Sequence, residues 1–340
     1  MKVAVVTVRA SSGEQGGAER LFDALVQSFA DLGHEAEEIC LHTDESTSER
    51  ILENYLYFHD LDLSSFDLVV STKAPTWMVH HERHVCFLMH TIRAFYDMFD
   101  ELFPRPTTEL QQQRELIHLL DSKALARCQS IDAIGHEVAQ RLRRWNGLES
   151  GVLHPPLWKN PFRSAPSEPF LFLPGRLHSW KRTDLVVRAM RHVKSPVRLL
   201  LAGTGEAEDE LRGLTAGDTR VELLGRVSDS DLVDYYSRCF AVPFTPKRED
   251  YGFVTLEAFA SGKPVITCND SGEAGLIVRE QQAGIVCEPT PESIAAAIDQ
   301  MYEHPGERAE MGERGRAWVV GLDWRDIARK LIERSGVVVA

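Results

Sequence analysis

The second half of this chain is written in short, continuous apolar runs, and each run is closed by a glycine or a small polar residue. Residues 170–173, 197–202, 221–224, 240–244, 265–268 and 284–287 are such runs. Their lack of polar alternation predicts strands buried on both faces, the pattern of a parallel sheet covered by helices. Between them the period changes. Leu185, Val186, Ala189, Met190 and Val193 recur at helical spacing, residues 229–238 read as a capped helix, and Thr290-Pro291 supply an N-cap and first-turn proline for another. Strand and helix in strict alternation predict an α/β architecture with a doubly wound sheet.

The first half repeats this grammar less cleanly. Residues 3–8, 66–70, 85–89, 130–134 and 151–154 read as strands, and residues 18–32 as a helix with Leu21, Leu25 and Phe29 on one face. Residues 100–125 are polar and helical. The N-terminal residues 1–8 lack a small-residue cleavage site and lead into a glycine-containing stretch, so they read as a first strand and not as a signal peptide. Five prolines at 155, 156, 161, 166 and 169 mark an exposed connector. The division expected is a first domain over 1–157, a linker over 158–169, a second domain over 170–320 and a C-terminal helix within 321–340. A length of 340 residues suits two domains.

Composition excludes several classes. The net charge of -13 argues against nonspecific nucleic-acid binding. Residues 1–150 hold 14 Lys+Arg against 24 Asp+Glu, so most of the acidic excess lies there. Six cysteines are scattered without a Cys-x-x-Cys pair, which predicts reduced thiols and neither zinc knuckle nor redox motif. The run His80-His81-Glu82-Arg83-His84 has two residues between His81 and His84, the wrong arrangement for a His-Glu-x-x-His zinc site. No apolar run approaches the roughly 18 residues of a spanning helix. The expectation is a cytoplasmic protein, with peripheral contact at the inner membrane face left open by the basic stretch 141–144.

The chemistry-bearing residues fall at the carboxyl ends of the expected strands, where open doubly wound sheets bind ligands. Gly175 and Arg176 follow one strand and Lys181 comes shortly after. Glu249-Asp-Tyr-Gly252-Phe253-Val254-Thr-Leu-Glu257 places two glutamates around a glycine at a loop entering a helix. Cations on one segment and hydroxyl-binding carboxylates on another suit a nucleotide-sugar ligand. These two segments resemble the C-terminal half of glycosyltransferase family 4, the retaining GT-B enzymes. The resemblance implies a GT-B fold: two Rossmann-like doubly wound domains facing each other across a cleft.

Carried onto this sequence, the resemblance and the chemistry assign roles. Arg176 and Lys181 would stabilise the charge that a departing nucleoside diphosphate gains as the glycosidic bond breaks. The N–H groups at Gly252, Phe253 and Val254 would face the phosphates from a helix start. The resemblance gives Glu257 to the ribose hydroxyls and Glu249 to the donor sugar and its phosphate. It gives Gly225, Arg226 and Val227 to the base pocket. It gives Asp270, Ser271 and Gly272 to the sugar-holding turn, with Gly203 at a further strand end. Glu273 stands where many relatives have a second glycine, which leaves the donor sugar open. From the first domain it adds Gly16 and Gly17 in a loop near the phosphate or acceptor, and His90 facing the donor sugar. It also implies a C-terminal helix that packs back across the first domain.

The expected activity is retaining transfer of a sugar from a UDP- or GDP-linked donor, in polysaccharide or glycoconjugate synthesis. The acceptor could be a glycan, a lipid-linked glycan or a small molecule. No metal or other cofactor is expected, because no metal-type Asp-x-Asp stands beside the cation segment. Two alternatives stand beside this reading. One is a non-catalytic nucleotide or sugar binder. The other is a glycoside hydrolase using Glu249 and Glu257; eight helical residues would separate them by about 12 Å, against roughly 5–5.5 Å for retaining hydrolysis. A dinucleotide oxidoreductase is disfavoured because residues 9–17 do not spell Gly-x-Gly-x-x-Gly.

Overall fold

The computed structural model describes residues 1–10, 17–43 and 47–336. The chain forms two compact units, Met1–Trp158 with Asp323–Ala340, and Lys159–Leu322. In the first unit the order is β1 (Lys2–Ala10), α1 (Gly17–Ala30), β2 (Glu35–Thr43), α2 (Ser48–Asp60), β3 (Leu68–Lys73), β4 (His84–His90), α3 (Phe99–Leu102), α4 (Thr108–Leu125), β5 (Ser130–Ala133), α5 (His136–Asn146) and β6 (Gly151–Val152). The six strands pair in the order β2-β1-β3-β4-β5-β6, all parallel. Strands β1, β3 and β4 are central and almost wholly buried, which is why their sequences are continuous apolar runs.

Strand β2 is absent from the sequence reading. Its composition, Glu-Ala-Glu-Glu-Ile-Cys-Leu-His-Thr, carries three glutamates. It pairs with β1 alone, so one edge and much of its surface remain open to water, and polar alternation is tolerated there. The same unit holds a buried polar knot. Asp121 of α4 is fully buried and accepts hydrogen bonds from Tyr55 Oη (2.7 Å), Trp77 Nε1 (2.8 Å) and Tyr96 Oη (2.6 Å).

The second unit contains β7 (Phe170–Pro174), α6 (Thr183–Ala189), β8 (Arg198–Ala202), α7 (Glu208–Thr215), β9 (Val221–Gly225), α8 (Asp229–Arg238), β10 (Val242–Pro243), α9 (Phe253–Ala260), β11 (Val265–Cys268), α10 (Glu273–Glu280), β12 (Gly284–Cys287), α11 (Pro291–Glu303) and α12 (Pro305–Val320). Ser228 caps α8 and Thr290 caps α11, each accepting a backbone N–H two residues into its helix. Two parallel ladders, β7-β8-β9 and β10-β11-β12, are joined by a bridge between Leu171 and Ala241. Phe240 N donates to Phe170 O at 3.0 Å and Phe172 N to Ala241 O at 3.3 Å. The strand order is therefore β9-β8-β7-β10-β11-β12, and it reverses direction between β7 and β10. In open α/β sheets such a reversal, outside the carboxyl ends of the strands, is where a ligand-binding crevice lies.

After α12 the chain returns to the first unit as α13 (Trp324–Arg334). Ile327, Ala328, Leu331 and Ile332 are buried, α13 packs on α1, and Arg334 pairs with the buried Asp132 of β5. The units together have the GT-B fold of two Rossmann-like bodies. Among the described residues no helix is long and apolar enough to cross a membrane.

Candidate functional site

The switch point between β7 and β10 brings together the residues singled out after those two strands. The chain leaving β7 passes Gly175 and Arg176, buries Leu177, and makes a 3-10 turn over Ser179–Lys181. The chain leaving β10 runs from Phe244 to Gly252, where α9 begins. Lys181 Nζ lies 2.7 Å from both Oε1 and Oε2 of Glu249, and 5.6 Å from the centre of the Phe244 ring. Two residues 68 apart in sequence are thus brought into one ion pair at the crevice. Arg176 is exposed, and its side chain has no hydrogen bond or ion pair among the described residues.

Arg182, which the sequence reading passed over, organises these loops. Its guanidinium forks onto Asp270, with Nη1 at 2.8 Å from Oδ2 and Nη2 at 2.6 Å from Oδ1. It also donates to the carbonyls of Thr245 (2.8 Å) and Pro246 (2.9 Å). One side chain therefore ties together the loops after β7, β10 and β11. Its backbone is left-handed, φ 50°, a region that disfavours any residue with a Cβ. The planar fork of arginine suits bidentate carboxylate binding, which compensates for that backbone. The sequence held one signal, an arginine directly after the expected phosphate-binding lysine.

Asp270 is accordingly engaged by Arg182. Ser271 is fully buried and its hydroxyl accepts from the Cys268 amide at 3.2 Å, closing the turn internally. Gly272 forms a parallel bridge with Glu249. Its φ is 64°, and a Cβ there would collide with the Glu249 backbone. Glu249 is in turn held through its main chain, donating to Ser271 O and accepting from Glu273 N. Glu273, the departure from the family pattern, is wholly buried at the first position of α10 beside Tyr251, whose phenol is raised by burial first and the Glu273 charge second.

Gly252 caps α9 with φ 84° and no side-chain hydrogen bond. A Cβ at this position would strike the Phe244 ring. The first amides of α9, at Phe253 and Val254, thus start the helix without a side-chain cap and carry the positive end of its dipole. Glu257 lies one turn further and accepts from Tyr236 Oη at 2.6 Å. Burial, then the Glu257 charge, push the Tyr236 phenol well above its ordinary value, so it stays protonated and donates. Glu249 precedes α9, so the helical separation assumed in the hydrolase alternative does not apply. The two carboxylates differ in another way: Glu249 is paired with a lysine and Glu257 with a tyrosine.

The remaining strand ends fall on the same edge of the sheet. Gly203 donates to Gly225 O at 2.7 Å and Gly175 to Ala202 O at 2.9 Å, so the ends of β7, β8 and β9 lie side by side. Arg226 is exposed and Val227 half-buried just beyond β9. An Asp-x-Asp does occur here, Asp229-Ser230-Asp231, but Asp231 Oδ2 accepts from Ser228 Oγ at 2.7 Å in the helix cap. Among the described residues no group of three or more His, Cys, Asp or Glu could hold a metal ion.

Of the first-unit candidates, Gly16 lies outside the described residues and Gly17 opens α1. His90 ends β4, half-buried, with Nδ1 3.0 Å from Thr91 O. His81 and His84 do not share a helix. His84 is a buried strand residue bonded to Ser71 Oγ at 2.8 Å, and burial lowers it to about 3, so it is neutral.

The match that bears on this geometry covers the second unit. Residues 156–318 match the family model for glycosyl transferases group 1. D-rhamnosyltransferase WbpZ of Pseudomonas aeruginosa is 29% identical over 151 residues, 44% of this chain and 39% of that protein. D-inositol 3-phosphate glycosyltransferase of Kineococcus radiotolerans is 29% identical over 193 residues, 50% and 44% of the two chains. The matched region thus spans less than half the length of these relatives. Whole-chain likeness comes from solved structures. Sucrose-phosphate synthase from Thermosynechococcus elongatus has a TM-score of 0.76 at 17% identity, over 98% of this chain and 97% of its own. Anabaena HepE, solved with UDP and glucose, has a TM-score of 0.69 at 14% identity, over 98% and 99%. At these identities the likeness establishes the GT-B fold.

Proposed function

We propose that this protein is a retaining glycosyltransferase that uses a UDP- or GDP-linked sugar and needs no metal ion. The observation that carries the reading is the constellation at the β7/β10 switch point: Lys181 paired with Glu249, exposed Arg176 and the side-chain-uncapped start of α9. Two cations and a helix start at the ends of β7 and β10 suit a diphosphate. Their interaction grows as the leaving group gains charge, so they favour the transition state over the bound donor. Glu257, fixed by Tyr236, offers a carboxylate of the kind that accepts hydrogen bonds from a ribose diol. No side-chain nucleophile is required if the departing phosphate oxygen takes the acceptor proton on the same face of the sugar. The group 1 match over this unit supports the reading, as does the UDP held by HepE.

The test is a thermal-shift screen against UDP, GDP, ADP, TDP and their common sugars. A rise in Tm with one nucleotide that disappears in Lys181→Ala supports the site and identifies the base. No rise with any of them at millimolar concentration removes the nucleotide-sugar reading and leaves the fold.

A further inference from the structure

Cys268 and Cys287 are the last residues of β11 and β12, and they are partners in the parallel register. Directly opposed residues on neighbouring strands project from the same face, and the strands lie about 4.8 Å apart. That spacing falls within the roughly 4.4–6.8 Å between Cα atoms that a disulfide spans. Both residues are free thiols. Cys268 is fully buried, whereas Cys287 is half-buried and lines a cavity of about 560 Å³ with Asn269, Glu288 and Gln300. The outer thiol is therefore the one a small reagent can reach. Cys287 Sγ donates to Thr267 O at 3.3 Å and Cys268 Sγ to Glu288 O at 4.0 Å, each across to the neighbouring strand end, and the interaction of the two thiols lowers Cys287 while it, with burial, raises Cys268.

The pair is coupled to the candidate site by the chain itself. The Cys268 amide donates to Ser271 Oγ at 3.2 Å, and Ser271 N donates to Cys268 O at 3.1 Å. Asp270, inside that turn, is the carboxylate that Arg182 grips, and Arg248 N donates to Asp270 O at 2.9 Å. We infer that Cys268 and Cys287 form a reversible dithiol–disulfide site, closed by low-molecular-weight disulfides, whose closure loosens the Arg182–Asp270 clamp. In the first step the Cys287 thiolate attacks a disulfide RS–SR, forms a mixed disulfide and expels RS⁻. In the second, Cys268 attacks the Cys287 sulfur, expels the second RS⁻ and gives up its proton to it. Two protein thiols are oxidised and one RS–SR is reduced to two RSH. Closing the bridge removes both S–H donors from Thr267 O and Glu288 O at the strand ends, and a strained bridge is readily reduced again.

The experiment treats the full chain with oxidised glutathione, blocks remaining thiols and maps the peptides. The expected product is a Cys268–Cys287 linked peptide, lost on adding dithiothreitol and absent from Cys287→Ser. Amide hydrogen exchange should show lost protection in peptides covering 245–249 and 269–272 of the oxidised protein. A stable glutathione adduct on Cys287 with Cys268 still free overturns the site. A linked protein with unchanged exchange overturns the coupling. One further arm rests on the function proposed above: UDP or GDP affinity should fall on oxidation and return on reduction. If the reduced protein binds neither nucleotide, that function fails, while the peptide map and the exchange data still decide this inference.

Discussion

Glu249 neutralises the Lys181 charge that a diphosphate would need, so Glu249→Gln should tighten binding of the free nucleoside diphosphate. Lys181 Nζ sits 2.7 Å from both carboxylate oxygens, with the two side chains 29% and 17% exposed. At an effective dielectric of 20 the bare attraction at that distance is about 6 kcal/mol, but much of it is offset by desolvation. A hydrogen bond to a charged group contributes roughly 1.5–3 kcal/mol net. Glutamine keeps an acceptor for Lys181 and removes the charge, so the lower end applies, about 1.5 kcal/mol or about tenfold in affinity. The Glu249 main chain is held independently by Ser271 and Glu273, so the loop should keep its path. Turnover should fall, because Lys181 loses the partner that positions it. The assay is titration calorimetry of UDP and GDP with wild type, Glu249→Gln, Lys181→Ala and the double variant. Unchanged or weaker binding in Glu249→Gln would refute the reasoning. So would a gain that persists in the double variant, since the gain must act through Lys181.

Arg182→Gly removes the clamp and relieves the left-handed backbone, which costs arginine about 1–2 kcal/mol; the lost charged hydrogen bonds outweigh that, for a net destabilisation of about 2 kcal/mol. Hydrogen exchange should quicken at 245–249, and unchanged protection there would show that the clamp is ornamental. Two buried groups of the first unit predict opposite pH dependences. His84 is lowered from 6.5 to about 3, so its contribution is present above pH 6.5 and is lost as pH falls towards 3, about 5 kcal/mol in all. Asp121 is raised from 3.8 to about 6, chiefly by burial, so its contribution is full below pH 3.8 and is lost as pH rises through 6, about 3 kcal/mol. Denaturant unfolding should therefore give His84→Gln a flatter stability curve than wild type on the acid side, and Asp121→Asn a steeper one. Curves parallel to wild type would reject both assignments. Activity should survive EDTA, and a complete loss restored by a divalent ion would overturn the metal-free reaction.

How much of this was legible in the sequence follows from what each residue must satisfy. Strands β7, β8 and β11 are covered on both faces, so their sequences had to be unbroken apolar runs and could be read directly. The edge strand β2 has one neighbour and much open surface, and nothing forces an apolar pattern on it. Local caps such as Ser228 and Thr290 were equally readable, because a cap is satisfied within three residues of itself. Arg182 was not readable for the converse reason: its partners Thr245, Pro246 and Asp270 lie 63 to 88 positions away.

The same distinction separates the two kinds of glycine and acid in the site. Gly252 announced itself because it opens a helix beside two glutamates, a local pattern. Gly272 looked like a ligand-binding glycine, yet its lack of a Cβ is first required by the close approach of the Glu249 backbone. That requirement links the loops after β10 and β11, and Arg182 adds the loop after β7. The ion pair of Lys181 and Glu249 therefore stands on a frame whose members are each specified for packing. A substitution in that frame should change the position of Lys181 without touching any ligand, so loss of activity at Gly272 or Asp270 cannot by itself assign either residue to the sugar. A change in nucleotide affinity alone, with loop protection intact, is what a true contact residue would produce.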